Sequence, residues 1–186
     1  MRLFLALEVP GAVRDAVDAA VGPLRQRYPG LRWTRPDAWH LTVAFLGEVG
    51  ERVAVSLHGA LEPVAGSVGG PIALRVTEPG RFGARVLWLG LSDRPEGTVA
   101  GLGERLQAAA ADAGIAVDRK QVRPHLTLAR GRDPDARVTQ TVVAACPVVD
   151  ASWEVGEVLL VRSHLGGGPA RYETLAALPL GASDPG

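Results

Sequence analysis

The sequence predicts an α+β fold in which antiparallel strands outnumber helices, and three observations support that prediction. The 186 residues are 47% hydrophobic and 22% charged, as in globular proteins that bury a sizeable core. Stretches with helical periodicity alternate with short stretches that have a two-residue hydrophobic period. Tight connections rich in Gly and Pro join most of them, which favours antiparallel pairing. No linker divides the chain, so residues 1–180 are expected to form one domain.

The elements follow one another in a regular order. Strands are predicted at residues 3–9, 31–33, 40–47, 72–77, 85–91, 125–130, 153–162 and 171–177. Apolar residues at helical spacing predict three helices, which run from Val13 to Leu24, from Val53 to Val64 and from Val99 to Ala113. Their stop signals are Pro29-Gly30, Gly66 and Gly114.

Two predicted connections and the C-terminus complete this outline. Pro79-Gly80 predicts the turn between the fourth and fifth strands, and the segment Gly166–Pro169 joins the last two strands. The chain from Pro179 onward is expected to be loose, and residues 181–186 are assigned to a C-terminal tail.

Composition and charge exclude several classes of protein. Twenty basic and twenty acidic side chains cancel, so the chain lacks the basic surplus typical of proteins that hold long duplexes. A nucleic-acid partner is therefore expected to be a short stretch, an end or a single nucleotide. Cys146 is the only cysteine, which excludes an intramolecular disulfide and a Cys-based zinc cluster.

The expected location is the cytosol. No apolar run is long enough to span a bilayer, and Glu8 interrupts the first apolar stretch too early for a secretory signal. Balanced charge and the lack of an obvious apolar patch make a monomer the expected oligomeric state.

A five-residue motif occurs twice. The stretch His40-Leu41-Thr42-Val43-Ala44 is repeated as His125-Leu126-Thr127-Leu128-Ala129. Because side chains alternate along a strand, each His shares a face with the Thr two residues later. By the same alternation, Ala44 and Ala129 continue these rows and leave space beside each imidazole. If the halves are related by an approximate two-fold axis, both His-Thr pairs face one cleft.

Two such pairs suit in-line displacement at a phosphodiester. One imidazole takes a proton from the attacking oxygen, and the other protonates the departing oxygen; an ordinary pKa near 6.5 suits histidine to both tasks. The threonine hydroxyls donate to the non-bridging phosphate oxygens. This scheme requires no metal and no cofactor. A single His-x-Thr on a strand is more often a structural polar pair, but the duplication favours a functional site.

Four stretches together resemble one known family. They are Arg2–Leu7, His40–Gly47, Arg123–Arg130, and Ser163 followed by Tyr172. The family is the two-histidine (2H) phosphoesterase superfamily, in particular its LigT-like RNA 2′,3′-cyclic phosphodiesterases, formerly called 2′,5′ RNA ligases. The resemblance implies two lobes of antiparallel sheet around a central groove, with helices outside. It also implies metal-independent hydrolysis of a terminal 2′,3′-cyclic phosphate to a 2′-phosphate.

The resemblance also implies a role for each residue of the doubled motif. His40 matches the proton donor to the leaving 3′ oxygen, and His125 matches the proton acceptor that activates water. Thr42 and Thr127 match the threonines that contact the phosphate. Val43 departs from a frequent Leu, at a position that faces the core.

Two residues near the ends of the motifs are candidates for substrate binding. Arg130 would clamp a phosphate oxygen, although strict alternation places it opposite His125 unless a bulge redirects it. Phe45 would stack on a base, although alternation places it on the core side of its strand and favours packing there.

A basic cluster and two tryptophans are further candidates. Arg123 lies with Arg119 and Lys120 beside the second motif, where they would steer an RNA end into the groove or form ordinary solvated surface. Trp33 and Trp39 flank the first motif as a nucleobase platform or, more commonly, as partly buried structural indoles.

The leading hypothesis is a cytosolic phosphodiesterase that acts on RNA ends or nucleotides bearing a 2′,3′-cyclic phosphate. A non-catalytic binder of RNA ends is one alternative. ATP-independent 2′–5′ joining of RNA is another, because it is the same chemistry run backwards. A histidine-ligated metal hydrolase is disfavoured, because no carboxylate recurs beside either motif.

Overall fold

Two antiparallel β-sheets form the centre of the structure, a computed structural model that describes residues 1–131, 137–164 and 171–181. The strands within these ranges are β1 (Arg2–Glu8), β2 (Arg32–Trp33), β3 (His40–Glu48), β4 (Ile72–Phe82), β5 (Val86–Arg94), β6 (His125–Arg130), β7 (Ser152–Val155), β8 (Glu157–His164) and β9 (Arg171–Pro179). The α-helices are α1 (Gly11–Arg27), α2 (Glu51–Gly66), α3 (Thr98–Asp112) and α4 (Gln140–Ala145).

Each sheet carries one copy of the doubled motif. The first has the strand order β3-β1-β8-β9, and the second has the order β2-β6-β5-β4-β7. Neighbouring strands are antiparallel throughout both sheets. This architecture confirms the predicted α+β class with two lobes of antiparallel sheet.

The two lobes are not the two halves of the chain. Strands β8 and β9 come late in the sequence, yet β8 pairs with β1 in the lobe that carries the first motif. Strand β2 comes before the first motif and pairs with β6 in the other lobe. The pseudo-symmetry therefore relates local motifs and their sheets, and each lobe depends on a strand from the other end of the chain.

One continuous core joins the helices to the sheets. The buried face of α1 consists of Val13, Val17, Val21 and Leu24, as its periodicity predicted. Helix α3 packs against β3 and β5, and α2 packs against α3 and β9. On β1, Leu3, Leu5 and Leu7 belong to this core. Phe4 and Ala6 alternate with them on the opposite face, in a small separate cluster with Val161.

The prediction of a turn at Pro79-Gly80 is wrong. Strand β4 continues through both residues to Phe82, and the chain reverses between Phe82 and Val86. The cause is a β-bulge, because the register with β5 slips between Val76 and Pro79. A bulge leaves Pro79 at a position where its missing N–H does not interrupt the ladder.

Three smaller differences concern the C-terminal part. Gly156 divides the predicted strand 153–162 into β7 and β8. Helix α4 is only six residues long, too short for a periodic signal in the sequence. The Thr139 hydroxyl caps its N-terminus by accepting a hydrogen bond from the Val142 N–H. Leu180 is fully buried and its N–H donates to the Gly156 carbonyl, so the chain is not loose at Pro179.

Two predictions fall on residues that the structure does not describe. The segment Gly166–Pro169 lies outside the described residues, as does most of the predicted tail, residues 182–186. None of the helices in the described part of the chain has the length and apolarity needed to cross a membrane.

Candidate active site

A cavity of about 610 Å³ lies between the two sheets. His40 and Thr42 line it from β3, and His125 and Thr127 line it from β6. All four side chains are partly exposed, so they are accessible to a ligand in the cavity. The structure therefore brings both copies of the motif to one site.

Backbone carbonyls orient the two imidazoles in the same way. His40 Nδ1 lies 2.9 Å from the Ala38 carbonyl oxygen, and His125 Nδ1 lies 2.6 Å from the Arg123 carbonyl oxygen. Because a carbonyl oxygen only accepts, each bond requires a proton on Nδ1. The Nε2 atom of each ring is thereby left to exchange a proton with a ligand.

Aromatic rings hold the His40 imidazole from two sides. The Tyr172 ring meets it edge-on, with 5.1 Å between centroids and 83° between planes. The Phe4 ring is tilted against it at 4.8 Å. These rings come from β9 and β1, the strands at opposite ends of the sequence, and their contacts restrict rotation of the imidazole.

A matching arrangement surrounds His125. The Phe82 ring meets its imidazole edge-on at 5.0 Å and 90°, and the Trp88 ring lies 6.2 Å away. The Trp88 indole packs against Gly80, where an added Cβ would lie 2.2 Å from the ring. Gly80 is therefore needed for this packing, since a rigid indole must move to admit even one carbon atom.

A bulge in β3 turns Phe45 into the cavity. Leu5 pairs with Ala44 and Ala6 pairs with Thr42, so Val43 is an extra residue that reverses the alternation. Phe45 is 62% exposed and lines the cavity, so the expectation that it packs in the core is wrong.

A second bulge turns Arg130 the same way. Leu128 is the extra residue on β6, because Leu87 pairs with Ala129 and Trp88 pairs with Thr127. Arg130 therefore lines the cavity on the same side as the second motif. The prediction that a bulge would be needed to place it there is confirmed.

The same two bulges move the motif alanines into the core. Ala44 and Ala129 are buried in the main apolar cluster, so the expectation that they leave space beside the imidazoles is wrong. The fifth residue after each histidine, Phe45 or Arg130, occupies the cavity wall instead.

Burial and charge lower the pKa of both histidines. For His40, burial is the largest cause, the bond to Ala38 opposes it, and the positive charges of His125 and Arg130 lower the pKa further. For His125, burial again lowers the pKa, the bond to the Arg123 carbonyl opposes it, and Arg130 adds to the effect. A phosphate anion bound between them would oppose this lowering of the pKa values, because a nearby negative charge favours the charged imidazolium.

This arrangement supplies a proton donor, a proton acceptor and anion-binding groups around one central space. Two imidazoles in one cavity suit transfer of protons on either side of a phosphorus atom. The hydroxyls of Thr42 and Thr127 and the Arg130 guanidinium suit its oxygens. In the described part of the chain, no group of three or more His, Cys, Asp or Glu side chains is placed to hold a metal ion.

Comparison with known proteins identifies the family. The family model of the 2′-5′ RNA ligase superfamily matches residues 13–167. The chain belongs to this superfamily. The predicted resemblance to 2H phosphoesterases of the LigT-like group is thereby confirmed.

Two relatives of this superfamily member are named RNA 2′,3′-cyclic phosphodiesterase. The Escherichia coli K12 protein is 31% identical over 179 residues, which cover 94% of this chain and 93% of the relative. The Geobacillus stearothermophilus protein is 28% identical over 186 residues and 97% of this chain, but the chain spans only 58% of that relative.

Solved structures of similar proteins share the fold of this superfamily member. A crystal structure of a Thermus thermophilus protein matches with a TM-score of 0.80 at 27% identity, covering 98% of this chain and all of the other. The crystal structure of E. coli LigT complexed with 3′-AMP matches with a TM-score of 0.73 at 30% identity, covering 96% and 97% of the two chains.

The predicted basic cluster lies apart from the cavity in this superfamily member. The Arg123 side chain is exposed and is not among the described residues that line the cavity; its carbonyl holds His125. Lys120 forms an ion pair with Asp118 at 2.5 Å and, with Arg119, lines a separate depression.

The two predicted platform tryptophans are both packed. Trp33 donates its indole N–H to the Tyr28 carbonyl at 3.0 Å. Trp39 lines the cavity but is only 4% exposed. The interpretation as structural indoles fits these positions better than a nucleobase platform.

Sequence reasoning missed most of the residues that surround the imidazoles. Phe82 and Trp88 lie on strands that carry no motif, and no local pattern relates them to His125. Phe4 was noted only within the resemblance at Arg2–Leu7. Arg32 also lines the cavity and pairs with Arg130 across β2 and β6.

Proposed function

We propose that this protein is a metal-independent hydrolase that opens the 2′,3′-cyclic phosphate at the end of an RNA to leave a 2′-phosphate. The observation that carries the proposal is the pair of imidazoles, His40 and His125, which line one cavity with each Nδ1 bound to a backbone carbonyl and each Nε2 without a hydrogen-bond partner among the described residues. The names of the relatives support the activity. The complex of E. coli LigT with 3′-AMP supports a nucleotide as the ligand.

The reaction transfers two protons around one phosphorus atom. His125 Nε2 accepts a proton from water as the water oxygen bonds to phosphorus. The bond between phosphorus and the 3′ oxygen breaks, and the Nε2–H of His40 protonates that oxygen. The product carries a 2′-phosphate and a 3′-hydroxyl, and the two histidines regain their starting states by exchange with solvent.

Three groups stabilise the charge that develops on the non-bridging oxygens. The hydroxyls of Thr42 and Thr127 lie on the faces that carry the histidines and donate hydrogen bonds to these oxygens. The guanidinium of Arg130 contributes a fixed positive charge. Because it lowers the pKa of both histidines in the free protein, it acts against imidazolium until the anionic substrate offsets its charge.

Phe45 and Arg123 take different parts in substrate binding. The exposed Phe45 ring lies near Phe4, at 6.3 Å between centroids, and offers a face on which the terminal base stacks. Arg123 orients His125 through its carbonyl, and its exposed guanidinium contacts the RNA only outside the cavity.

The test is incubation with a 2′,3′-cyclic mononucleotide and with a short cyclic-ended RNA, each with and without EDTA. We expect EDTA-resistant turnover of both, with a single product signal assigned to a 2′-phosphate by phosphorus NMR. A 3′-phosphate product would contradict the assignment of the leaving oxygen. Binding without turnover would contradict hydrolysis and favour a non-catalytic RNA-end binder.

A matched histidine variant controls for effects on folding. His58 lies on the exposed side of α2, where it faces Glu62 at 3.9 Å. We expect His58→Ala to retain full activity, whereas His40→Ala and His125→Ala lose it. The proposal also places the enzyme in the cytosol. It expects the protein to be a monomer, and size-exclusion chromatography with light scattering checks that oligomeric state.

A further inference from the structure

A second depression opens beside the cavity, at the ends of β1, β8 and β9. Its volume is about 350 Å³, and it is strongly polar. Arg2 and Ser163 line both the depression and the cavity. The two spaces are therefore neighbours, and a chain-like ligand that leaves the cavity on this side enters the depression.

The depression carries an excess of positive charge. Arg2, Arg162 and Arg171 line it, and within the described part of the chain no ion pair neutralises any of their guanidiniums. The only acidic residue among its described lining residues is Glu48, which lies 3.5 Å from the amino group of Met1. Three guanidiniums around a small space suit a phosphate group.

The strand register fixes how close the depression is to the site. Arg2, Ser163 and Tyr172 lie side by side across the three strands, and Tyr172 contacts His40. Arg171 is the next residue along β9, so its side chain and that of Arg162 project from the opposite face of the sheet to Ser163 and Tyr172. A ligand that leaves the His40 side of the cavity reaches Arg171 by passing around the ends of the strands, beside Arg2 and Ser163, which line both spaces.

The direction of the reaction places the nucleoside on this same side. Under the proposed function, His40 protonates the 3′ oxygen, whereas water attacks from the side of His125. The ribose that bears the 3′ oxygen therefore lies beside His40, with its 5′ end leading away from phosphorus. In an RNA, that 5′ oxygen carries the phosphodiester to the preceding nucleotide.

We infer that Arg2, Arg162 and Arg171 form a subsite for the phosphodiester that joins the terminal nucleotide of an RNA to the preceding one. This inference rests on the proposed function and adds a preference for RNA ends over cyclic mononucleotides. The depression near Arg119 has no such position, because it shares no described residue with the cavity and its Lys120 is paired with Asp118.

The test compares three substrates that differ in one feature at a time. They are a 2′,3′-cyclic mononucleotide with a free 5′-hydroxyl, the same compound with a 5′-phosphate, and a dinucleotide with the same cyclic end. We expect the wild type to turn over the second and third with kcat/KM at least roughly tenfold above the first, as befits a charge-assisted phosphate contact. No such preference in the wild type would overturn the inference.

The decisive variants are Arg171→Ala and the pair Arg162→Ala with Arg171→Ala, with Arg119→Ala as the matched control. We expect the first two to lose most of the preference and to turn over the 5′-hydroxyl mononucleotide as the wild type does. The salt dependence of kcat/KM for the dinucleotide should also fall by about one unit of slope per lost contact. Arg119→Ala should change neither quantity.

The outcomes separate this inference from the proposed function. Unchanged preference in the Arg162/Arg171 variants would overturn the subsite alone, as would an equal loss on all three substrates. Turnover of none of the substrates by the wild type would overturn the proposed function and the subsite with it.

Discussion

The two halves of the site share one plan but differ in the residue that follows each motif. In both, a carbonyl two residues earlier holds Nδ1 of the histidine, one aromatic ring meets the imidazole edge-on, and a bulge turns the fifth residue after the histidine into the cavity. In the His40 half that fifth residue is Phe45, an exposed apolar ring. In the His125 half it is Arg130, a cation.

Under the proposed function, this difference gives the two halves different parts of one substrate to bind. A ring at the end of the first motif suits a base, which lies beyond the leaving oxygen. A guanidinium at the end of the second motif suits phosphate oxygens, near which water attacks. In this proposal the duplicated strand motif has a nucleoside side and a phosphate side, which differ through the single residue that follows each copy.

Removal of either imidazole tests whether the halves are equally necessary. We expect His40→Ala and His125→Ala each to lower kcat by roughly 10²–10⁴-fold, the usual contribution of a positioned acid or base. Circular dichroism and the melting temperature should show an intact fold, because both rings lie on the cavity wall. If either variant kept near-normal turnover, its histidine would not be required for the reaction, and the two halves would not be equally necessary.

Single substitutions of Phe45 and Arg130, the fifth residues after the two histidines, test the difference between the halves. Arg130→Met should lower kcat/KM by roughly 10–100-fold for every base, because it removes a charged contact to phosphate. Phe45→Ala should raise KM by roughly five- to tenfold and more for purines than for pyrimidines, because stacking depends on ring area. Steady-state kinetics on four cyclic mononucleotides separates the two patterns; base-dependent loss in Arg130→Met would count against this division.

Glycine substitutions probe the support behind His125. Gly80→Ala forces Trp88 to move, since the new Cβ would lie 2.2 Å from its ring. We expect kcat to fall by about tenfold with little change in KM, together with a shift in the pH profile, because Trp88 packs beside His125. Gly156→Ala is the matched control, since its Cβ meets no described atom within 4 Å. Equal kcat values for the two variants would show that Trp88 does not support His125.

The pH dependence is the smallest effect and tests the electrostatics of both halves together. Under the proposed mechanism, activity needs one protonated and one neutral imidazole, and both pKa values are lowered from the ordinary 6.5 in the free protein. The optimum of kcat/KM should therefore lie below pH 6.5, and Arg130→Met should move it upward by removing a positive charge. An unchanged optimum would mean that Arg130 does not act on the histidines, and a downward shift would contradict the sign of its effect.

The same pKa shifts affect stability. Between the lowered folded-state pKa values and the ordinary value of 6.5, the unfolded chain binds more protons than the folded chain. The free energy of unfolding should therefore decrease as the pH falls below 6.5. Urea titrations from roughly pH 5 to 7.5 check this, and replacing both histidines with Gln should flatten the dependence.

The sequence predicted the central features of the site because they are local. A histidine and a threonine two residues apart share a face of any regular strand, and their duplication pointed to one cleft. Arg130 was predicted conditionally, since a bulge was the only way to bring it beside His125. Phe45 was misplaced for the same reason, because a one-residue bulge reverses alternation and has no signature in the sequence.

Contacts between residues that are far apart in the chain could not be predicted from the sequence. Phe82, Trp88 and Phe4 reach the histidines only through strand pairing across the fold. The turn at Pro79-Gly80 was misread because Pro and Gly serve in bulges as well as in turns. An internal repeat suggests that each half of the chain forms its own lobe. The pairing of the late strand β8 with β1 departs from that arrangement, so the repeat did not predict it.

Replacing the leaving 3′ oxygen of a cyclic mononucleotide with sulfur tests the assignment of acid and base most directly. A thiolate departs without a proton, since thiols have a pKa of about 8.5. We expect His40→Ala to turn over the sulfur substrate within about tenfold of the wild type, while His125→Ala stays inactive because water still needs a base. Rescue of His125→Ala, or of neither variant, would contradict the division of roles between the two histidines.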